Sequence, residues 1–124
     1  AMERIVEDFS SFLKPGGHLV VDYLNPEAVA KGLVPQEQIT KEGTTFDIHR
    51  RIHSGWIEKS IQYTWDGESC HHVERVQALT KSSFCAALSN AGLEVVDIWG
   101  NYQFDAWVQD SPRTLILAQK PINL

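Results

Sequence analysis

The feature that most constrains this chain is a helix-breaking tripeptide followed by a strand with no polar face. Pro15-Gly16-Gly17 stops whatever precedes it, and His18-Leu-Val-Val-Asp-Tyr-Leu24 then runs apolar on both sides. Proline removes a helical donor, and glycine accepts the left-handed turn at a helix end. A run of this kind suits a strand covered on both faces, as in a parallel α/β sheet. Upstream, Ile5, Val6, Phe9, Phe12 and Leu13 recur at helical spacing and predict a helix over 3–14 with one buried stripe. Glu3, Arg4, Glu7, Asp8 and Ser11 fall on its wet side. Helix, Pro-Gly-Gly, buried strand is half of an alternating α/β unit.

Residues 25–43 read as a connection with room for one short helical turn. From Thr44 the period changes to two. Phe46, Ile48 and Ile52 alternate with Asp47, His49, Arg51 and His53, and Ser54-Gly55 turns the chain. Ile57, Lys59, Ile61, Tyr63 and Trp65 alternate with Glu58, Ser60, Gln62 and Thr64, and Asp66-Gly67 is a strong hairpin signal. Residues 70–79 return as a third strand, so 44–79 reads as a three-stranded antiparallel meander. Thr80 then caps a helix whose buried stripe is Phe84, Ala87, Leu88 and Ala91. Leu79 and Phe84 form a hydrophobic staple, and Gly92 ends the helix. Glu94–Trp99 and Arg113–Lys120 read as buried strands, joined by an aromatic loop from Gly100 to Pro112.

The 124 residues amount to one domain, 1–124, long enough to bury roughly two-thirds of the unfolded surface. A net charge of −5 excludes the concentrated positive field that nucleic acid or an anionic membrane requires. No stretch approaches the ~18 apolar residues of a membrane span. Two cysteines, Cys70 and Cys85, make no disulfide framework, and the reading they support is a reduced, cytoplasmic protein. Ala1 ahead of Met2 reads as an added residue, with the reading frame beginning at Met2.

Chemistry-bearing motifs are few. Gly16-Gly17 lies between helix and strand, the wrong side for anion binding at a helix N-terminus. His49 and His53 lie in a period-2 segment, which separates them by roughly 13 Å and favours a solvated strand face over a metal pair. Cys70-His71-His72 cannot converge as three, because neighbours on a strand point to opposite faces, and no metal site is assigned. Arg50 and Arg75 interrupt apolar faces and read as salt-bridged strand residues before anion ligands.

Tyr23 and Asn25 stand at the carboxyl end of the first strand, where ligands gather in doubly wound sheets. Asn25-Pro26 equally reads as a turn initiator. The loop after Trp99 carries Tyr102, Phe104, Asp105 and Trp107, which either cover a pocket or plug the core.

Three segments together resemble the C-terminal half of a class I S-adenosylmethionine-dependent methyltransferase. Phe12-Leu-Lys-Pro-Gly-Gly-His-Leu-Val-Val-Asp-Tyr-Leu-Asn-Pro26 is similar to the helix and step leading into that family's fifth strand. Phe84 to Trp99, with Ala91-Gly92-Leu93-Glu94-Val95-Val96, resembles its last helix and sixth strand. Asp110-Ser-Pro-Arg-Thr-Leu-Ile-Leu-Ala-Gln-Lys-Pro121 resembles its terminal antiparallel strand. The resemblance implies a partial doubly wound, Rossmann-like α/β sheet holding the last three strands, the final one antiparallel between the other two. The meander is then a substrate-side insertion.

It also implies S-adenosylmethionine as cofactor of the complete enzyme and a small-molecule methyl acceptor, with Tyr23, Asn25, Tyr102 and Asp105 facing the acceptor pocket. The family's cofactor-binding motifs have no counterpart here. No cofactor-binding residue is therefore assigned, and the chain alone is expected to bind no cofactor and to be inactive. The first strand's outer edge lacks its partner, an unstable arrangement for an apolar strand. A second copy of the chain, a swapped element or a separate N-terminal half is expected to cover it. The alternative reading is a self-associating α+β module that binds a small ligand without catalysis, or a remnant domain with a structural role alone.

Overall fold

The computed structural model describes residues 2–122. The chain divides into two compact units, one comprising the residues through Val29 and those from Leu79 onward, the other Ala30–Ala78.

The first unit is built on a three-stranded sheet of β1 (His18–Leu24), β6 (Glu94–Trp99) and β7 (Arg113–Gln119). The order is β1-β7-β6, and β7 is antiparallel to both neighbours, as the resemblance implied. A bulge between Val95 and Asp97 shifts the β6 register. The helices α1 (Met2–Phe12) and α3 (Lys81–Asn90) contribute Val6, Phe84, Ala87 and Leu88 to a core completed by Leu93, Ile116 and Ala118.

The sequence signals at the helix ends act as read. Thr80 caps α3 by accepting from Ser83 N at 3.1 Å. At the other end Gly92 has φ +80°. Gly92 N and Leu93 N bond Ser89 O and Leu88 O at 3.0 and 2.9 Å, a Schellman closure. The Pro-Gly-Gly stop is tied to the sheet: Gly16 N donates to Lys120 O and Lys120 N to Gly17 O, each at 2.8 Å.

Two expectations change here. The α1 stripe does not bury as a whole. Val6 and Ser10 are buried, and Met2 and Leu13 pack at the core edge, whereas Ile5, Phe9 and Phe12 are 57, 52 and 85% exposed. The helix rolls toward the side where it has a partner: Ser10 Oγ donates to Ala91 O at 2.9 Å and Lys120 Nζ to Ser10 O at 2.8 Å. Likewise β1 is covered on one face in this chain. Leu19, Val21 and Tyr23 pack inward, while Val20 is 62% exposed.

The second unit is a four-stranded antiparallel meander, not three-stranded: β2 (Gln36–Lys41), β3 (Thr44–His53), β4 (Trp56–Trp65) and β5 (Glu68–Gln77), paired in sequence order. Its turns are Glu42-Gly43, Ser54-Gly55 and Asp66-Gly67, with positive φ at both residues of each. That is the type I′ geometry whose twist matches the flanking strands. The missed strand β2 holds Ile39 as its one apolar residue, so alternation gave no signal, and its turn uses Glu-Gly. Ile48 is the unit's buried apolar residue among those described. The short helix α2 (Pro26–Gly32) falls where one helical turn was expected.

Candidate functional site

The carboxyl end of β1, the loop after β6 and the start of β7 come together in the first unit, and the four candidate residues behave differently there. Tyr23 points to the helix side, its ring 5.2 Å from that of Phe84, and burial pushes its phenol above the usual value. Asn25 is 2% exposed. Its Nδ2 donates to Gln109 O at 3.0 Å and Ser111 O at 2.8 Å, and its Oδ1 accepts from Glu27 N at 3.3 Å. It is thus the N-cap of α2, ahead of Pro26 at the first helical position, and it staples that cap to the loop. Asn25→Ala leaves two carbonyls without these donors and is expected to cost about 2 kcal/mol. A urea midpoint corresponding to a loss below about 0.5 kcal/mol would deny the staple any weight.

Asp105 accepts from Asn101 Nδ2 at 2.9 Å, while Asn101 Oδ1 accepts from Gln103 N and Asp105 N at 3.0 and 3.2 Å. Together they fold the loop tip. The loop both plugs and projects. Trp107 packs inward, donating Nε1–H to the fully buried Thr114 Oγ1 at 3.2 Å, with Lys81 Nζ 4.2 Å from its ring centroid. Tyr102 and Phe104 project, 60 and 64% exposed. Phe104 has φ +62°, a left-handed conformation costly for a side chain with a Cβ, and rests edge-on against Trp99 at 5.1 Å.

Tyr102 joins a cluster that sequence reading missed. Its hydroxyl donates to Asp22 Oδ2 at 2.8 Å, and Arg113 Nε donates to Asp22 Oδ1 at 2.7 Å. The Arg113 guanidinium lies 5.4 Å from the Tyr102 ring centroid. In the β1–β7 register Leu24 faces Arg113 and Asp22 faces Leu115, so Asp22 and Arg113 are diagonal neighbours on one face. Tyr23, between Asp22 and Leu24, points the other way. The structure therefore separates Tyr23 from Tyr102.

Partial burial raises the Asp22 carboxyl, but the hydrogen bonds from Arg113 and Tyr102 and the Arg113 charge outweigh it and hold the group below its ordinary 3.8. The hydrogen bond to Asp22, reinforced by desolvation, pushes the Tyr102 phenol up, so Tyr102 keeps its proton at neutral pH. Both Asp22 oxygens are engaged, which suits the carboxylate to latching the loop rather than to taking a proton. A lowered folded value means the latch contributes fully above the ordinary carboxylate value and is lost as pH falls through the lower, folded one. In an NMR titration, Tyr102→Phe is expected to move the Asp22 midpoint upward toward 3.8. An unmoved midpoint would show that the hydroxyl does not hold the carboxylate.

In the four-stranded unit the arginines are ion-paired. Arg50 Nη2 meets Glu37 Oε1 at 2.5 Å, and Arg75 Nε lies 3.9 Å from Glu58 Oε2 with its guanidinium 4.6 Å from the Trp56 ring centroid. Arg51 Nη2 reaches the same Glu58 at 3.5 Å, and His49 Nε2 lies 3.3 Å from Asp47 Oδ2. With Pro35, Ser60 and Val73, residues of this cluster line an open concavity of about 420 Å³. Among the described residues, no helix is long and apolar enough to cross a membrane.

No protein-family model and no curated protein sequence matches the chain. Solved structures do. An S-adenosylmethionine-dependent methyltransferase from Clostridium acetobutylicum superposes with TM-score 0.79 at 14% identity, over 97% of this chain and 51% of that one. The fold is that of about half a methyltransferase. The methyltransferase CcbJ from Streptomyces caelestis gives TM-score 0.74 at 14% identity, over 96 and 49% of the two chains. CalS10, an amino pentose methyltransferase from Micromonospora echinaspora solved with bound S-adenosylmethionine, gives 0.59 at 21% identity, over 96 and 50%. The chain spans about half the length of these structures, and at such identities the likeness is one of fold.

Two strand exits of this chain are filled by its own groups. β1 leaves through Leu24 into Asn25, whose amide the backbone already holds. The glycine after β6 offers no cradle, because a Cβ on Gly100 would lie 2.1 Å from Ser111 Oγ: this chain itself fills the space. Among the described residues no strand exit presents a glycine-rich turn to a helix N-terminus.

Proposed function

We propose that this chain is the substrate-side half of an S-adenosylmethionine-dependent methyltransferase acting on a small molecule, and that its three-stranded sheet is the end of a doubly wound sheet. The observation that carries the reading is the order β1-β7-β6 with β7 antiparallel in the middle, superposing over nearly the whole chain on half of a methyltransferase. In the complete enzyme S-adenosylmethionine supplies the methyl group. This half positions the acceptor, and holding two reactants in line is itself worth several powers of ten in rate. Tyr102, with Asp22 and Arg113 behind it, is placed to do so at the carboxyl end of β1, and Asn25 and Asp105 hold the loop that carries it.

A second half of the same enzyme is the partner this reading requires. It would pair with the outer edge of β1 and cover Ile5, Phe9, Phe12 and Val20, which this chain leaves exposed. The test is calorimetric. Titrating S-adenosylmethionine into this chain alone is expected to give no binding at millimolar cofactor. Adding the missing half is expected to restore binding and turnover. Micromolar binding by the chain alone would overturn the reading. Stabilisation of the chain by a small ligand without cofactor would favour a non-catalytic binding module.

A further inference from the structure

Strand β5 is an outer strand of the meander, and among the described residues no strand pairs with its far side. The parity of its ladder fixes which groups that side presents. Asp66-Gly67 is a two-residue turn, so Trp65 and Glu68 are the first hydrogen-bonded pair, and such pairs alternate along an antiparallel ladder. Glu68, Cys70, His72 and Glu74 therefore spend their N–H and C=O groups on β4. Ala78 N, donating to Gly55 O at 2.8 Å, keeps the same parity at the other end. The main-chain groups of Ser69, His71, Val73 and Arg75 point outward. Sheet edges are ordinarily blunted by shortness, proline, lysine or a bulge. β5 uses none of these: its ten residues contain no Pro, Gly or Lys, and its register with β4 runs unbroken from Glu68 to Gln77. Apart from half-buried Cys70 its residues are exposed, and Val73 at the middle is 53% so.

We propose that β5 pairs antiparallel with β5 of a second copy of this chain, about a twofold axis at Val73, joining two meanders into one eight-stranded sheet. Charge selects the register. Centred on Val73, the pairing sets His72 opposite the partner's Glu74, and by symmetry does so twice, in the closer, non-hydrogen-bonded kind of pair. Centred one residue to either side, it would set His72 against His72 or Glu74 against Glu74. Centred on His71 it would oppose Glu68 and Glu74, and centred on Arg75 it would oppose two guanidiniums. Directly opposed like charges are destabilising, so the Val73 register is the one that the side chains allow.

The neighbouring side chains suit that register. Tyr63 Oη lies 3.1 Å from His72 Nε2. With Tyr63 donating there, Nδ1 carries the imidazole proton and donates it to the partner's Glu74. On the opposite face His71 meets the partner's Arg75, and each is drawn back onto its own sheet. His71 Nε2 is 2.7 Å from Ser60 Oγ, while Arg75 lies 3.9 Å from Glu58 and over the Trp56 ring. Val73 meets its own copy across the axis, where its apolar surface is shared. Val73 also lines the concavity of about 420 Å³ with Arg51, Glu58 and Ser60, so the pairing carries the floor of that concavity into the second copy. This inference is independent of the methyltransferase reading, whose partner pairs with β1.

Sedimentation equilibrium on the full chain tests it, and the expected result is a mass that rises with concentration from one chain to two. In Val73→Pro the lost N–H is one that faces outward, so proline costs no bond to β4 but removes two across the axis. It should weaken the dimer about tenfold or more. Glu74→Lys sets a lysine opposite His72 twice and should weaken it about fivefold. Circular dichroism checks that both variants keep the meander. The register has its own readout, in a chain carrying Cys70→Ser and Cys85→Ser. There Val73→Cys should crosslink on mild oxidation, because opposed residues of a hydrogen-bonded pair lie about 5.5 Å apart, within reach of a disulfide. Arg75→Cys should not, because its two copies would stand roughly 13 Å apart along the strand. A single chain at every concentration, a dimer that both Val73→Pro and Glu74→Lys leave intact, or equal crosslinking from the two cysteine variants would each overturn the proposal.

Discussion

Ile116→Ala is expected to destabilise this chain by about 4 kcal/mol. Ile116 is fully buried in the middle of the central strand, opposite Val21 on one side and Ile98 on the other, and it belongs to the same cluster as Phe84, Leu88 and Ala118. Truncation loses the transfer energy of three buried carbons and leaves a cavity that β7, fixed by two ladders, cannot close. For a domain with a total stability of roughly 5–15 kcal/mol, such a loss approaches unfolding. Urea denaturation measures it. Val20→Ala, on the face of β1 that this chain leaves exposed, is the comparison and is expected to cost under about 0.5 kcal/mol. Equal costs at the two positions would mean that the core lies on the other face of the sheet.

Gly100→Ala is expected to cost about 3 kcal/mol, nearly as much, for the opposite reason. The added methyl would sit 2.1 Å from Ser111 Oγ and 2.5 Å from Ser111 Cβ, and 3.4 Å from Trp107 Cα. Ser111 cannot simply swing away. It is 6% exposed, its Oγ accepts from Val108 N at 2.8 Å, and its carbonyl accepts from Asn25 Nδ2. Relief requires moving the loop backbone, which breaks those bonds and the bonds from Gly100 N to Asp105 O and from Arg113 N to Gly100 O. Adding Ser111→Gly makes room and is expected to recover about half of the loss, a coupling that a double-mutant cycle detects. Purely additive costs would show that the two residues do not meet.

Much of the architecture was legible because local chemistry and tertiary structure agree. Pro15, Gly16 and Gly92 end helices in this chain as they do in any other, and Asp66-Gly67 dictates its own turn. The last strand's antiparallel place between the other two followed from a resemblance to known sheets rather than from periodicity. What failed was burial that depends on a neighbour. Nothing in Ile5, Phe9 and Phe12 says that the chain covers only the Val6 side of the helix. β2 was illegible because a strand of Gln, Glu, Thr and Lys around one isoleucine is specified by its partner β3 and not by its own pattern.

The site divides along the same line. Position along the strand placed Tyr23 and Asn25 near the right end, but a pleat assigns faces by register, and a one-residue difference sends Tyr23 to the core and Asp22 to the loop. A signal for Asp22 was present: a lone carboxylate inside an apolar strand asks for a cation. Its partner, Arg113, stands on a strand near the other end of the sequence, where only the β1–β7 register brings the two together.

That same register sets a timetable for synthesis. His18 pairs with Gln119, so β1 leaves the ribosome about 100 residues before its partner does, a wait of roughly 5–20 s at ordinary elongation rates. The three hairpins of the meander, each joining adjacent segments, close in roughly 1–10 μs once made. The nascent chain therefore carries a finished meander while β1 still waits for β7. Among the described strands β1 is made first and meets β7 last, and through that interval it is the one most in need of a chaperone's cover.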